Sequence, residues 1–178
     1  MRFPFSPFPV LNTERLTLRA LSLQDTAGVF DIRSDPVLTK YVGFAAYTDI
    51  KQAENYIRKV EAGLGKWVVW SIIEKQSGSF AGTICLWHFN RFQKSAEIGY
   101  DLLSKFQHSG IMTEAAIAVL HYGFEQMKVD SITADLQKEN SSSIKLLEKL
   151  GFSRTSDYFK NGHHMVKYHL KSSVFLYK

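Results

Sequence analysis

The chain has 178 residues, of which 45% are hydrophobic and 22% are charged, so its length predicts one folded domain spanning residues 1–178 and its composition excludes extensive disorder. The formal net charge of +5 comes from basic residues that stand singly or in pairs. This distribution indicates weak steering of polyanions at most, and it argues against a nucleic-acid-binding face.

The sequence also lacks the marks of a membrane, secreted or metal-binding protein. The single cysteine, Cys85, lies in the apolar run Phe80–Phe89 and is expected to be a buried structural thiol, so neither a disulfide nor a metal site is predicted. No apolar segment reaches the ~20 residues that span a bilayer. Three of the four prolines fall in residues 1–9, which predicts an extended arm over residues 1–10 rather than a secretory signal. The expected location is the cytoplasm.

The N-terminal third predicts one strand and two helices. Residues Thr13–Arg19 alternate between apolar and polar, as in a half-buried strand. The pattern Ser22–Asp25 is typical of a capping box and predicts a short helix ending near residue 34. A second helix is predicted from Thr48 to Gly63 or Gly65, because apolar residues recur along one stripe, namely Ile50, Ala53, Ile57 and Val60.

The middle of the chain predicts a set of antiparallel strands followed by a crossover. Three strands joined by short links are predicted over Trp67–Glu74, Phe80–Asn90 and Ser95–Leu103. A helix opening near Thr113 then leads to a strand over Ser131–Leu136. A strand, helix and strand in succession imply that the two strands pair in parallel.

The C-terminal part predicts one more helix and a hairpin. Asn140 is expected to cap a helix that ends at Gly151, where a left-handed residue fits. Asn161-Gly162 predicts a tight turn between strands over Phe152–Phe159 and His164–Leu170.

The segment Gln107–Glu114 joins a predicted strand to a predicted helix. A glycine turn that opens a helix suits phosphate, because the first helical N–H groups lack intrahelical partners and the aligned peptide dipoles favour an anion. Gly110 has no Cβ to block close approach. Many such turns contain a glycine for conformational reasons alone, so the interpretation depends on what surrounds the loop.

Three separated motifs, Ala96–Tyr100, Gln107–Ala115 and Asn140–Phe152, together resemble the GNAT N-acetyltransferase superfamily. The RimJ/RimL-like branch is the most similar, and Thr13–Arg19 and Arg33–Pro36 also resemble it. The resemblance implies an α+β fold with a mostly antiparallel, strongly twisted central sheet of about seven strands. It further implies one splayed parallel pair, about four flanking helices, and direct transfer of an acetyl group from acetyl-CoA to a primary amine.

The resemblance also implies where acetyl-CoA binds. Backbone N–H groups of the glycine loop would hold the pyrophosphate, with the Thr113 hydroxyl as a further donor or a helix cap. The loop residues implied are Gln107, His108, Ser109, Gly110, Ile111, Met112 and Thr113. The pantetheine arm would bind free backbone groups of the preceding strand at Tyr100 and Leu102, with a bulge expected at Gly99.

Three positions depart from this pattern or complicate it. Met112 stands where many relatives have glycine or alanine. Leu147 stands where many relatives have a tyrosine that protonates the departing thiolate. Glu114 would repel phosphate unless its carboxylate points away from the loop.

Transfer to an amine needs a group that accepts a proton, because most amines are protonated at neutral pH. Glu97 is the predicted base, acting through water, and its alternative role is an ordinary solvent-facing residue. His163 and His164 are rival bases. Ser143 is predicted to stabilise the departing thiolate, or else only to cap its helix, and Asn140 either caps that helix or contacts pantetheine amides.

The acceptor is left open between a protein N-terminal amine and a small amine such as an amino acid, a polyamine or a drug. Aromatic residues are expected either to line its site or to belong to the core, namely Tyr41, Phe44, Tyr47, Tyr158 and Phe159. The alternative function is a non-catalytic CoA-binding sensor or structural module, which the missing tyrosine suggests. No nucleic-acid or membrane partner is expected, and the chain is predicted to be a monomer or a homodimer.

Overall fold

The protein, seen in a computed structural model that describes residues 7–63 and 66–175, is built on one eight-stranded sheet. Numbered in chain order, the strands are β1 Leu11–Asn12, β2 Leu16–Ala20, β3 Trp67–Glu74, β4 Phe80–Asn90, β5 Ser95–Leu102, β6 Ser131–Gln137, β7 Ser153–Lys160 and β8 His163–Lys171. They lie in the order β1-β2-β3-β4-β5-β6-β8-β7, with β5 and β6 parallel and all other neighbours antiparallel. The predicted fold class is confirmed, and the two-residue β1 is the strand beyond the seven expected.

In the part of the chain that the structure describes, four α-helices flank the sheet, namely α1 Thr26–Ser34, α2 Ile50–Ala62, α3 Ile111–His121 and α4 Ser141–Lys149. The predicted capping box Ser22–Asp25 is present, in a short 3-10 turn before α1. Helix α2 was predicted to begin at Thr48, but it begins at Ile50 with Asp49 as its N-cap. The Asp49 carboxylate accepts a hydrogen bond from the Lys51 N–H at 2.8 Å. Gly63 follows α2, whereas Gly65 and residues 1–6 of the predicted arm lie outside the described residues. None of the described helices is long and apolar enough to cross a membrane.

Turn chemistry explains where other elements begin and end. Gly110 has φ +81° and serves as the N-cap of α3, so the helix begins at Ile111, earlier than the predicted Thr113. Gly151 has φ +90° just beyond α4, as expected for a left-handed helix end. Asn161 and Gly162 have φ of +51° and +80°, which confirms the predicted tight turn between β7 and β8.

The parallel pair β5–β6 diverges along its length. Residues 95–97 pair with residues 131–133. Beyond Glu97, β5 continues to pair with β4 as far as Leu102, while β6 continues with β8 as far as Gln137. A gap therefore opens between two strands whose facing backbone groups have no strand partner there.

The two faces of β5 have different surroundings, because side chains alternate along a strand. Ala96 and Ile98 belong to the large apolar core that includes α3, where side chains such as Leu120 are fully buried. Each such burial contributes roughly 1.5–3 kcal/mol. Glu97, Gly99 and Asp101 therefore project from the opposite face. That face carries the second core, formed largely by α1 and α2 with Leu21 and Val69, against which Cys85 packs.

The bulge expected at Gly99 is wrong. Gly99 pairs in regular register with Cys85, and the irregularity lies in β4 between Trp87 and Asn90, where His88 has φ +46°. A Cβ at Gly99 would lie 3.2 Å from the Cys85 sulfur. Close strand-to-strand packing, and not a bulge, is therefore what Gly99 permits.

Candidate active site

The glycine loop presents backbone N–H groups at the start of α3. His108 and Gly110 both have positive φ, at +58° and +81°. The Glu114 N–H donates to the Gly110 carbonyl at 3.0 Å, so the N–H groups of residues 111–113 precede the helical hydrogen-bond ladder. Thr113 therefore lies inside the helix and does not cap it, which corrects one of its two predicted roles; its role as a donor stays a prediction.

Side chains of the loop are turned away from those N–H groups. Gln107 Nε2 donates to the Leu102 carbonyl at 3.2 Å, and the Ser109 hydroxyl donates to the Phe106 carbonyl at 2.5 Å. Ile111 and Met112 are buried in the large core. The methionine side chain thus does not block approach to the loop, and the exposed His108 and the backbone are what the loop offers a ligand.

Glu114 points away from the loop and is neutralised. Its carboxylate accepts from Arg15 Nε at 2.6 Å, from the Arg15 N–H at 2.9 Å and from the Thr13 hydroxyl at 2.5 Å. Burial raises the pKa of Glu114, but these hydrogen bonds outweigh it and hold the pKa below its usual range. Arg15 also donates to the Ser109 carbonyl at 3.0 Å, so the predicted repulsion is replaced by a link between β2 and the loop.

A cavity of about 780 Å³ occupies the gap between β5 and β6 and continues over the face that α1 and α2 flank. Tyr100, Asn140 and Ser143 line it, whereas Leu102 and the loop residues 107–113 do not. Two buried polar atoms in its wall, Trp87 Nε1 and Asp135 Oδ1, have no hydrogen-bond partner among the described residues. Such atoms are costly unless a ligand or water satisfies them.

Glu97 lies in the wall of this cavity, and its side chain is 13% exposed. Its Oε2 is 3.1 Å from His88 Nδ1, because the irregular stretch of β4 brings His88 back beside β5. Burial, with the charge of Asp135, raises the pKa of Glu97, and His88 and Lys167 only partly oppose this. A carboxylate with a raised pKa in a cavity is suited to proton transfer.

The first turn of α4 is fixed against β5. Asn140 Oδ1 accepts from the Ser143 N–H at 3.2 Å, so Asn140 caps the helix as predicted. The Tyr100 hydroxyl donates to the Ser143 carbonyl at 3.5 Å. Burial raises the pKa of Tyr100 to about 12 despite the hydrogen bond with Ser143, so Tyr100 stays protonated.

The rest of the cavity lies beside α1 and α2. Tyr41, Phe44 and Tyr158 line it, while Phe159 is 77% exposed. His163 lines it, whereas the rival base His164 is 3.0 Å from the Asp157 carboxylate.

Cys85, expected to be a buried structural thiol, is only partly buried and lies in the cavity wall. Removal from water raises its pKa to about 12, so it is a neutral thiol.

Sequence reasoning missed several residues that the fold brings to this cavity. His88 depends on the irregularity in β4, which leaves no mark in the apolar pattern, whereas Trp87 pairs in regular register with Glu97. Nothing in the sequence around Asp135, which lies in a short strand, indicated that it would face the cavity. Asp101 could have been identified, because it stands four residues after Glu97 and the alternation of side chains along a strand predicts that both face the same side.

Comparison with known proteins agrees with this geometry. Residues 15–153 match the family model described as the acetyltransferase (GNAT) domain. The uncharacterized N-acetyltransferase p20 of Bacillus licheniformis is 36% identical over 146 residues, which cover 81% of this chain and 82% of that protein.

Solved structures are similar as well. The crystal structure of a GNAT-family acetyltransferase from Bacillus anthracis superposes with a TM-score of 0.83 and 26% identity over 93% of this chain and 99% of that one. RimL, a ribosomal L7/L12 α-N-protein acetyltransferase in complex with coenzyme A, has a TM-score of 0.81 at 17% identity, covering 92% and 98%. The family match and the curated relative establish that this chain belongs to the GNAT family of N-acetyltransferases.

Proposed function

We propose that this chain transfers the acetyl group of acetyl-CoA to a primary amine by direct attack, as a RimJ/RimL-like member of its family. The observation that carries the proposal is the gap between β5 and β6, which opens beside Glu97 and continues as a 780 Å³ cavity. The cavity joins two regions, one suited to a thioester carrier and one suited to an amine.

The residues present fit two parts of acetyl-CoA, its pyrophosphate and its pantetheine arm. The N–H groups of residues 111–113, beside Gly110, suit a pyrophosphate at a helix N-terminus. Unpaired backbone groups of β5 and β6 suit the amides of pantetheine, and the unpartnered Trp87 donor and Asp135 acceptor add one polar atom of each kind. The Arg15–Glu114 ion pair at 2.6 Å removes the carboxylate that would oppose phosphate.

Glu97 is the proposed base. It takes the proton that the amine must lose, and the adjacent His88, whose side chain is 65% exposed, passes that proton to solvent. Acetyl-CoA supplies the activated acetyl group, whose carbonyl carbon bonds to the amine nitrogen as the carbon–sulfur bond breaks. Ser143 is the proposed donor to the departing thiolate, whose modest basicity needs only a hydrogen bond.

Two measurements on the purified chain test this function. We expect acetyl-CoA to raise Tm, because a ligand that binds only the folded state stabilises it by mass action. We also expect amine-dependent release of free thiol. Stabilisation without thiol release for any amine would favour the non-catalytic CoA-binding module that Leu147 suggests, and the absence of both effects would contradict the proposal.

A further inference from the structure

An arginine is held against aromatic rings in the wall of the cavity. Arg33, in the last turn of α1, places its guanidinium carbon 3.7 Å from the centre of the Tyr56 ring and 4.5 Å from that of Phe44. Its Nη1 donates to the Tyr47 hydroxyl at 3.2 Å, and no other side-chain hydrogen bond or ion pair of Arg33 occurs within residues 7–63 and 66–175. A guanidinium has five N–H donors, so most of these are free for a ligand.

A carboxylate without a partner lies in the same cavity. Asp101 projects from the same face of β5 as Glu97, and nothing in the described part of the chain gives its carboxylate a hydrogen bond or an ion pair. Burial raises the pKa of Asp101, and the charge of Arg33 partly lowers it. The two groups are thus close enough to interact electrostatically, yet they do not meet in a direct ion pair.

The two charges are complementary to a small molecule that carries both signs. A planar guanidinium recognises a carboxylate through paired N–H groups, and its stacking on Tyr56 and Phe44 fixes its orientation. A partly buried carboxylate without a partner in the described part of the chain is matched by an ammonium group. The surrounding aromatic rings suit an apolar substituent.

The overall charge of the cavity argues against a polyamine. Its wall carries the carboxylates of Glu97, Asp101 and Asp135 against four strong cations, namely Arg33, Lys59, Lys160 and Lys167. Lys167 and Asp135 pair at 3.4 Å, so the remaining cations outnumber the remaining carboxylates and a polycation would meet a net positive wall. A peptide N-terminus has an amide where a free amino acid has its carboxylate, so it would leave the Arg33 donors without a charged partner.

We propose that the acceptor is a free α-amino acid with an apolar side chain, whose carboxylate binds Arg33 and whose amine lies between Asp101 and Glu97. This assignment rests on the proposed acetyltransferase function. The ammonium loses one proton to Glu97, its nitrogen bonds to the acetyl carbon, and the carbon–sulfur bond breaks. The nitrogen then releases its second proton to the departing thiolate, which Ser143 stabilises by a hydrogen bond, and the products are an N-acetyl amino acid and CoA.

Paired acceptors that differ in one group test the assignment. Initial rates of thiol release are compared for leucine and phenylalanine, their carboxamides, the dipeptide leucyl-glycine and spermidine. The carboxamides have the less basic amines and present more free amine, so intrinsic reactivity favours them. We expect the amino acids nevertheless to have at least tenfold higher kcat/KM than the other amines.

Variants of Arg33 separate recognition from folding. Arg33→Met keeps the packed stem and is expected to lower kcat/KM for leucine at least tenfold, with leucinamide and the KM for acetyl-CoA unchanged. Arg33→Lys keeps the charge without the planar fork and should give an intermediate loss. Arg58→Met, at an exposed position of α2, is the matched control and should leave both acceptors unchanged.

Other outcomes overturn the assignment while the proposed function stands. These are equal or better turnover of the carboxamides, leucyl-glycine or spermidine, or an equal loss for leucine and leucinamide in Arg33→Met. If no amine is turned over, leucine added to the CoA complex must still raise Tm in the wild type and not in Arg33→Met. Without that shift the assignment fails, and the failure of acetyl-CoA itself to raise Tm identifies a failure of the proposed function instead.

Discussion

At the scale of single residues, the base can be tested through the pH dependence of Glu97→Gln. The wild-type rate should rise with pH as Glu97 loses its proton, over a range displaced upward because burial raises its pKa. General base catalysis contributes roughly 10²–10⁴-fold, so Glu97→Gln should lower kcat by about 10²-fold near pH 6.5. The deficit should shrink toward pH 9, where more of the amine is already unprotonated. Steady-state kinetics between these pH values provide the measurement.

The exposed Glu61→Gln on α2 is the control, and its pH profile should match that of the wild type. A deficit for Glu97→Gln that is constant across pH would show that Glu97 does not act as the base. The sequence could suggest Glu97 because it lies on the predicted strand before the glycine loop, within the family motif Ala96–Tyr100. It could not suggest His88, because the irregular pairing of β4 beside it depends on three-dimensional strand geometry.

At the scale of one element, the glycine loop can be tested with Gly110→Ala, which should weaken acetyl-CoA binding much more than it lowers the stability of the fold. An alanine Cβ there would lie 3.4 Å from Arg15 Nη2, which is an ordinary contact, so the added methyl group has room. Alanine, unlike glycine, is strained at φ +81°, and this costs about 1–2 kcal/mol, or roughly 2–8 °C in Tm. Because relaxation of that strain moves the N–H groups of residues 111–113, the KM for acetyl-CoA should rise at least about tenfold.

Gly78→Ala controls for strain, since Gly78 has φ +66° with open space around it and lies in the turn between β3 and β4. It should lower Tm to a similar extent and leave the KM for acetyl-CoA unchanged. Equal KM values for the two variants would show that the loop is not part of the cofactor site.

The position of the loop was predictable from its glycine and the helix after it. The start of α3 at Ile111 was not predictable, because helix ends depend on backbone dihedral angles that several residues can adopt.

At the scale of the whole molecule, the parallel pair and its split were implied by three motifs and their resemblance to a family. Alternation and turn residues alone predicted most strands, as with Asn161-Gly162 between β7 and β8. The acceptor region was not predictable in the same way. It joins Arg33 from α1, Tyr56 from α2 and Asp101 from β5, and such long-range juxtapositions leave no local pattern in the sequence.

The placement of charge across the molecule predicts opposite effects on stability for two carboxylates. Glu114 has a lowered pKa, so its contribution is present above its unfolded pKa of ~4.3 and is lost as the pH falls through the folded value. Asp101 has a raised pKa, so its ionisation destabilises the fold increasingly as the pH rises from its unfolded pKa of ~3.9 through the folded value. At pH 7.5, Glu114→Gln should therefore destabilise the protein by about 1–3 kcal/mol, whereas Asp101→Asn should raise Tm. Thermal unfolding measured at both pH values should show that both differences from the wild type shrink toward pH 4. A lowered Tm for Asp101→Asn at pH 7.5 would instead mean that the Asp101 carboxylate stabilises the fold and is not kept for binding a ligand.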